Sequence, residues 1–179
     1  MKVIQSTDIL EEILRSVLIE QSGLNEEQVL NSLSIHGEDL DKLFEEQVYV
    51  SIDRTDAILL FELTSRESTS DITDEDDSID TLETYRSFSL KCILYGNSSQ
   101  DIATKLVSRL RSVSVVDNLQ SSGIYLEAIS KIDSINEYKN KTMWQRSDFV
   151  IDISCQFEIE KVSNGYDMTN ISIEKIYNV

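Results

Sequence analysis

The residues that could do chemistry in this 179-residue chain are few. The single histidine, His36, stands beside Gly37 at the expected end of a short helix, where a histidine commonly caps. The two cysteines, Cys92 and Cys155, fall on the apolar faces of expected strands and read as reduced core thiols. One His and two separated Cys cannot assemble a zinc site of nitrogen and sulfur ligands at normal spacing. The acidic run Asp71 to Asp80 places carboxylates two apart, as a calcium loop would. It lacks the central Gly and the terminal Glu at the required offset, so it reads as a solvated loop. Glu137, Tyr138 and Lys139 match the Glu-x-Lys triplet that could hold Mg²⁺ beside a lysine, but the sequence sets them in a polar turn with only Asp133 as an upstream acid. No nucleophile elbow, dinucleotide fingerprint or phosphate-loop lysine occurs. The residues therefore point away from an enzyme and imply no cofactor and no metal.

Charge is the strongest compositional signal. The net charge is -17, with 21 acidic and 5 basic residues in positions 1–80 and 12 and 11 in positions 81–179. Such a field disfavours nucleic-acid phosphates and anionic membranes. It suits a basic partner surface, or a wall that DNA slides past without adsorbing. No apolar run approaches the roughly 20 residues of a membrane span, and the N-terminal stretch lacks the pattern of a signal peptide. Residence in the cytosol is expected.

The elements that must position any site are most clearly written around Tyr85 to Leu110. Phe88, Leu90, Cys92 and Leu94 alternate as one face of a strand. After Gly96 and Asn97, with Ser98 or Ser99 as a cap, Ile102, Ala103, Leu106, Val107 and Leu110 follow helical spacing. The first quarter, residues 1–47, reads as helical. Thr7 to Glu20, with Thr7 as its cap, carries the stripe Ile9, Leu10, Ile13, Leu14, Val17 and Leu18 and stops at Gly23. A second helix is expected from Asn25 through Leu33 to Gly37, with a further turn or two between Glu38 and Glu46. Val48 to Ile52 and Ala57 to Leu63 read as a hairpin, and residues 66–82 as an acidic loop with Asp74, Glu75, Asp76 and Asp77 at its tip. Residues 83–179 hold the sheet and central helix. Val113 to Gln120 reads as a connector, a strand runs from Gly123 to Ile132, Asn136 to Lys141 reads as a turn, and Asp148 to Glu160 alternates cleanly. Asn164 and Gly165 mark a turn before a last strand at Ile171, Ile173 and Tyr177. The whole chain, 1–179, is expected to form a single α+β domain: a mostly antiparallel sheet of about five strands with amphipathic helices packed on one face.

Two groups of side chains look like contact residues. Trp144 and Arg146, of the types enriched at interface hot spots, flank the start of the best strand, although a Trp there could equally close the end of the core. Lys105 and Arg109, with Arg111, form the main basic patch on the polar side of the central helix. The polar face of the Asp148 to Glu160 strand suits water or a neighbouring subunit. Basic and acidic flanks on one protomer are what a heterologous ring contact uses.

In order along the chain, Tyr85 with Phe88 and Leu90, then Tyr95, Gly96, Ile102, Ala103 and Leu106, then Leu119, Gly123, Ile124 and Tyr125, and finally Trp144 with Arg146, Ser147, Asp148 and Phe149, resemble the neck or tail terminator proteins of tailed bacteriophages. The resemblance covers roughly residues 50 to 160. It implies a non-catalytic virion protein, made in the host cytoplasm, whose α+β protomers form a homo-oligomeric ring, commonly a hexamer. Such a ring would terminate the tail tube or join it to the head connector, with tube, sheath or connector proteins as partners and DNA passing through. An acidic inhibitor that mimics DNA and occupies a basic partner is the alternative from charge alone.

Overall fold

The computed structural model describes residues 4–32, 57–69, 81–139 and 142–160. Helix α1 spans Thr7–Ser22. It starts where the Ser6 hydroxyl accepts from the Ile9 N–H, one residue before the expected cap Thr7, and stops at Gly23, whose φ of 76° is the left-handed conformation that glycine adopts most cheaply. Leu10, Leu14 and Leu18 of the expected stripe are buried and Ile13 and Val17 pack beside them, whereas Ile9, at the edge of the stripe in the first turn, is exposed. Asn25 does not open a second helix. A single 3₁₀ turn, Glu26–Gln28, gives way to strand β1, Val29–Asn31. The sequence signal for a helix start was real, because the Asn25 N–H donates to the Gln28 side chain at 2.9 Å. Parallel pairing of β1 with the next strand ends the turn after three residues.

Strand β2 spans Ile58–Thr69 and β3 spans Thr81–Tyr95, so strand structure extends into both ends of the segment expected to be a loop. Helix α2 is Ser99–Leu110 and helix α3 is Val113–Ser121, the latter in place of the expected connector. Strand β4 follows at Ile124–Ile129 and β5 at Asp133–Lys139, and β6 runs from Thr142 to Glu160. β5 occupies most of the stretch that read as a polar turn, and β6 starts six residues before Asp148. The expected strand at Val48 to Ile52, the turn or two between Glu38 and Glu46, His36, the acidic tip Asp74 to Asp77 and the last strand after Gly165 lie outside the described residues.

Among the described residues the sheet has six strands in the order β1, β2, β3, β6, β4, with β5 also paired to β6. Among the described strands only the β1–β2 pair is parallel. β4 and β5 lie end to end along one edge of β6, joined where the Ser130 N–H donates to the Val150 carbonyl and its hydroxyl accepts from the Val150 N–H, both at 2.9 Å. Ile4 extends that same edge through a short bridge to Phe157.

Alternation decides which face is covered. Leu59, Phe61 and Leu63 of β2, Phe88, Leu90, Cys92 and Leu94 of β3, and Phe149, Ile151, Ile153, Cys155 and Phe157 of β6 form one core with the inner stripes of α1, α2 and α3. The helices therefore cover one face of a largely antiparallel sheet. Both thiols are free and buried, and burial pushes each well above the ordinary thiol range, so neither is poised for redox or metal chemistry.

Candidate functional site

The β3–β6 register ends at the pair Tyr95 and Arg146, whereas β5 and β6 pair on to Lys139 and Thr142. A two-stranded hairpin thus extends past the end of β3. At its root, on the face away from the helices, side chains of three strands converge on Arg146. The Arg146 fork donates to both oxygens of Asp148, through Nε at 2.8 Å and Nη2 at 2.5 Å. Its Nη1 donates to Glu137 Oε2 at 3.0 Å. That same carboxylate oxygen accepts from the Tyr95 hydroxyl at 2.8 Å, and the guanidinium carbon lies 5.6 Å from the centre of the Tyr95 ring.

Each residue type has a reason. A planar guanidinium can serve a bidentate partner and a third acceptor at once, which an ammonium cannot. Hydrogen bonding to Asp148 is the largest cause raising the Arg146 pKa, and it outweighs the opposing cost of burial. Burial and donation to Glu137 push the Tyr95 hydroxyl up to about 12, with the Arg146 charge pulling the other way. A phenol whose folded pKa is raised stabilises the fold fully below its unfolded value near 10, and that contribution is lost as pH climbs toward about 12. Tyr95→Phe is therefore expected to flatten the loss of thermal stability between about pH 10 and 12, and to cost about 1 kcal/mol at neutral pH. Melting curves of both proteins across that range check it.

Arg146 is thus engaged by carboxylates of its own chain, and its direct effect is to hold the hairpin to the sheet. Trp144, half-buried, packs with Leu30 and Ile93 against Ile58, Leu60 and Tyr95, a small apolar cluster on the open face. Further along that face Asp152 accepts from Ser89 Oγ at 2.7 Å and pairs with Arg66 at 3.1 Å. Gln156 is buried. Much of the polar face expected to meet water or a neighbour is therefore engaged within the protomer.

The basic patch divides. Lys105 is exposed on α2. Arg109 donates through Nη1 to the Gln21 carbonyl at 2.8 Å, at the end of α1. α1 has no basic residue in its own last turn, so Arg109 supplies the cation that its C-terminal dipole favours. Arg111 donates to the Ile129 carbonyl at 3.2 Å. On the helix-facing side Ser147 bridges Ser99 at 3.4 Å and Ser134 at 3.3 Å, which pins the start of α2 to the hairpin root.

Sequence reasoning found Arg146 but not Glu137, Asp148 and Tyr95 as its partners. The sequence sets Glu137 in a polar turn; in the structure it lies on β5, opposite Trp144. Among the described residues no group of three or more His, Cys, Asp or Glu side chains is arranged to hold a metal. Also among them, no helix is long and apolar enough to cross a membrane. The geometry is that of a scaffold with a braced, projecting hairpin. A family model described as phage neck terminator protein matches residues 38–178. No curated protein matches the chain.

Proposed function

The chain belongs to the phage neck terminator protein family, and from that premise we propose that it forms a ring at the neck or tail end of the particle. The ring terminates the tail tube, joins it to the head connector, or does both. The protein is a structural component of a virion. The observation that carries the finer reading is the family match over residues 38–178, and the uneven charge supports it. A protein that lets DNA pass benefits from a surface that repels phosphate, and a net charge of -17 supplies one.

In this reading the oligomer is a homomeric six-membered ring, built by heterologous contacts in which different patches of adjacent protomers meet. Lys105, Arg109, Trp144 and Arg146 belong to the contact region, Arg146 by fixing the hairpin. Asp74, Glu75, Asp76 and Asp77 contribute an acidic surface. Partners are tube, sheath or connector proteins, assembly takes place in the host cytoplasm, and the protein catalyses nothing and needs no cofactor.

The test is a phage carrying an inactivated copy of this gene. Particles are expected to show tails that fail to join heads, or tubes of uncontrolled length, and supplying the intact protein in trans should restore them. Normal virions from the inactivated phage contradict the assignment.

A further inference from the structure

Resting on the reading that copies of this chain assemble, we infer that Arg86 is the receptor for a carboxylate presented by a second copy. Arg86 lies on β3 two residues before Phe88, on the face that carries the core, and is paired with Cys155 of β6. Its guanidinium carbon stands 5.1 Å from the centre of the Phe157 ring, and the centre of that ring is 5.7 Å from the centre of the Phe88 ring. Both phenylalanines are buried, so the half-buried Arg86 is stacked on a fixed aromatic platform at the border of the core.

What this platform lacks is an acceptor. Among the described arginines, Arg66 and Arg146 pair with carboxylates, and Arg15, Arg109 and Arg111 donate to backbone carbonyls. Arg86 does neither, and its Nε is enclosed by protein without a hydrogen-bond partner. A half-buried cation with an unmet donor costs stability in the isolated protomer, because attraction to a ring does not replace the hydrogen bonds given up to water. That cost is recovered when a partner brings the acceptor. A carboxylate fits the requirement, since it can take two parallel N–H bonds from one guanidinium and cancels its charge. A second copy is well supplied with them, having 33 acidic residues against 16 basic. Copies that repel one another through a net charge of -17 also gain most from a contact that sets a cation against an anion. A nucleic-acid backbone fits less well, because the same field repels a chain of phosphates that one cation cannot hold.

The test uses the full chain and reads two quantities: thermal unfolding at concentrations where the protein is monomeric, and association by mass photometry or sedimentation. Arg86→Met keeps much of the side chain's length and its packing on Phe157 but removes the charge. Its protomer is expected to melt no lower than the wild type, while its association weakens roughly tenfold or more. Arg86→Lys, which keeps a cation, should associate more tightly than Arg86→Met, and Arg86→Glu more weakly than either. A Met variant that melts clearly lower, or does not fold, shows that Arg86 is satisfied within its own protomer and overturns the receptor. A Met variant that assembles as well as the wild type overturns the contact and leaves the ring standing. Equal association of the Lys, Met and Glu variants overturns the carboxylate as the ligand. Duplex DNA held by the wild type and released by Arg86→Met overturns it in favour of a phosphate. A wild type that stays monomeric at every concentration, and with tail-tube protein added, removes the ring and the contact with it.

Discussion

Phe149→Ala is expected to destabilise the protomer by about 3–5 kcal/mol, and with a chain of this size to lower its melting temperature by roughly 6–20 °C. Phe149 is among the largest fully buried side chains, at 2% exposure, and it sits on β6 opposite Cys92 of β3, on the face that the helices cover. Removing the ring forfeits its transfer energy and leaves a cavity that the surrounding strand backbones cannot collapse to fill. Phe149→Leu, which keeps most of the volume, should cost less than about half as much. Denaturant melts of the three proteins measure the difference. Near-equal stability of the Ala variant and the wild type would show that the helices do not close over β6 as described.

The second large effect is at the hairpin root. Arg146→Leu leaves Glu137 and Asp148 together, partly buried, without their shared cation. Breaking a fully buried pair costs roughly 3–5 kcal/mol and an exposed one about 1 or less. The side chains of Arg146 and Asp148 are 19% and 24% exposed, so a cost of about 2–3 kcal/mol is expected. Adding Glu137→Gln and Asp148→Asn to Arg146→Leu should recover a good part of that loss, because the uncompensated charges, rather than the missing attraction, dominate it. An Arg146→Lys variant should fall between, since an ammonium cannot serve a bidentate carboxylate and a third acceptor in one plane. If the triple variant is no more stable than Arg146→Leu, the charge account of this cluster is wrong.

What could be read in the sequence depended on how much of each element's partner lay nearby in the chain. α1, α2, β3 and β6 announce themselves because one face of each is continuously buried, so leucines at helical spacing, or Phe149 to Phe157 at spacing two, leave a periodic trace. β5 leaves none. It is an edge strand whose side chains are mostly exposed or polar, and its pairing is with β6 alone. α3 is short and opens with three valines in four residues, a composition that favours strands; only Val115 and Leu119, four apart, are buried. β1 is three residues long and forms through parallel pairing with a strand almost thirty residues away, while its local signals favour a helix. The Arg146 cluster was hidden for a related reason. Its Tyr95–Glu137 bond joins residues 42 apart, and only the register of β3, β5 and β6 sets Tyr95, Glu137 and Asp148 around one guanidinium.

These features connect to assembly through rigidity. A hairpin that projects past its sheet can direct a neighbour only if its root is fixed, and three kinds of restraint fix it here: the guanidinium cluster on one face, the Ser99–Ser147–Ser134 contacts on the other, and Trp144 in the small apolar cluster. Trp144 and Arg146, expected from sequence to be contact residues, are therefore engaged within the protomer as supports of the hairpin root.

The central claim, that the chain is a ring-forming neck terminator, is tested most directly by imaging the purified protein by electron microscopy, alone and with tail-tube protein, alongside its mass in solution. The account predicts closed rings of a single subunit number with a channel wide enough for duplex DNA, either free or seated at the end of a tube. A protein that remains monomeric in both conditions and never caps a tube would contradict it.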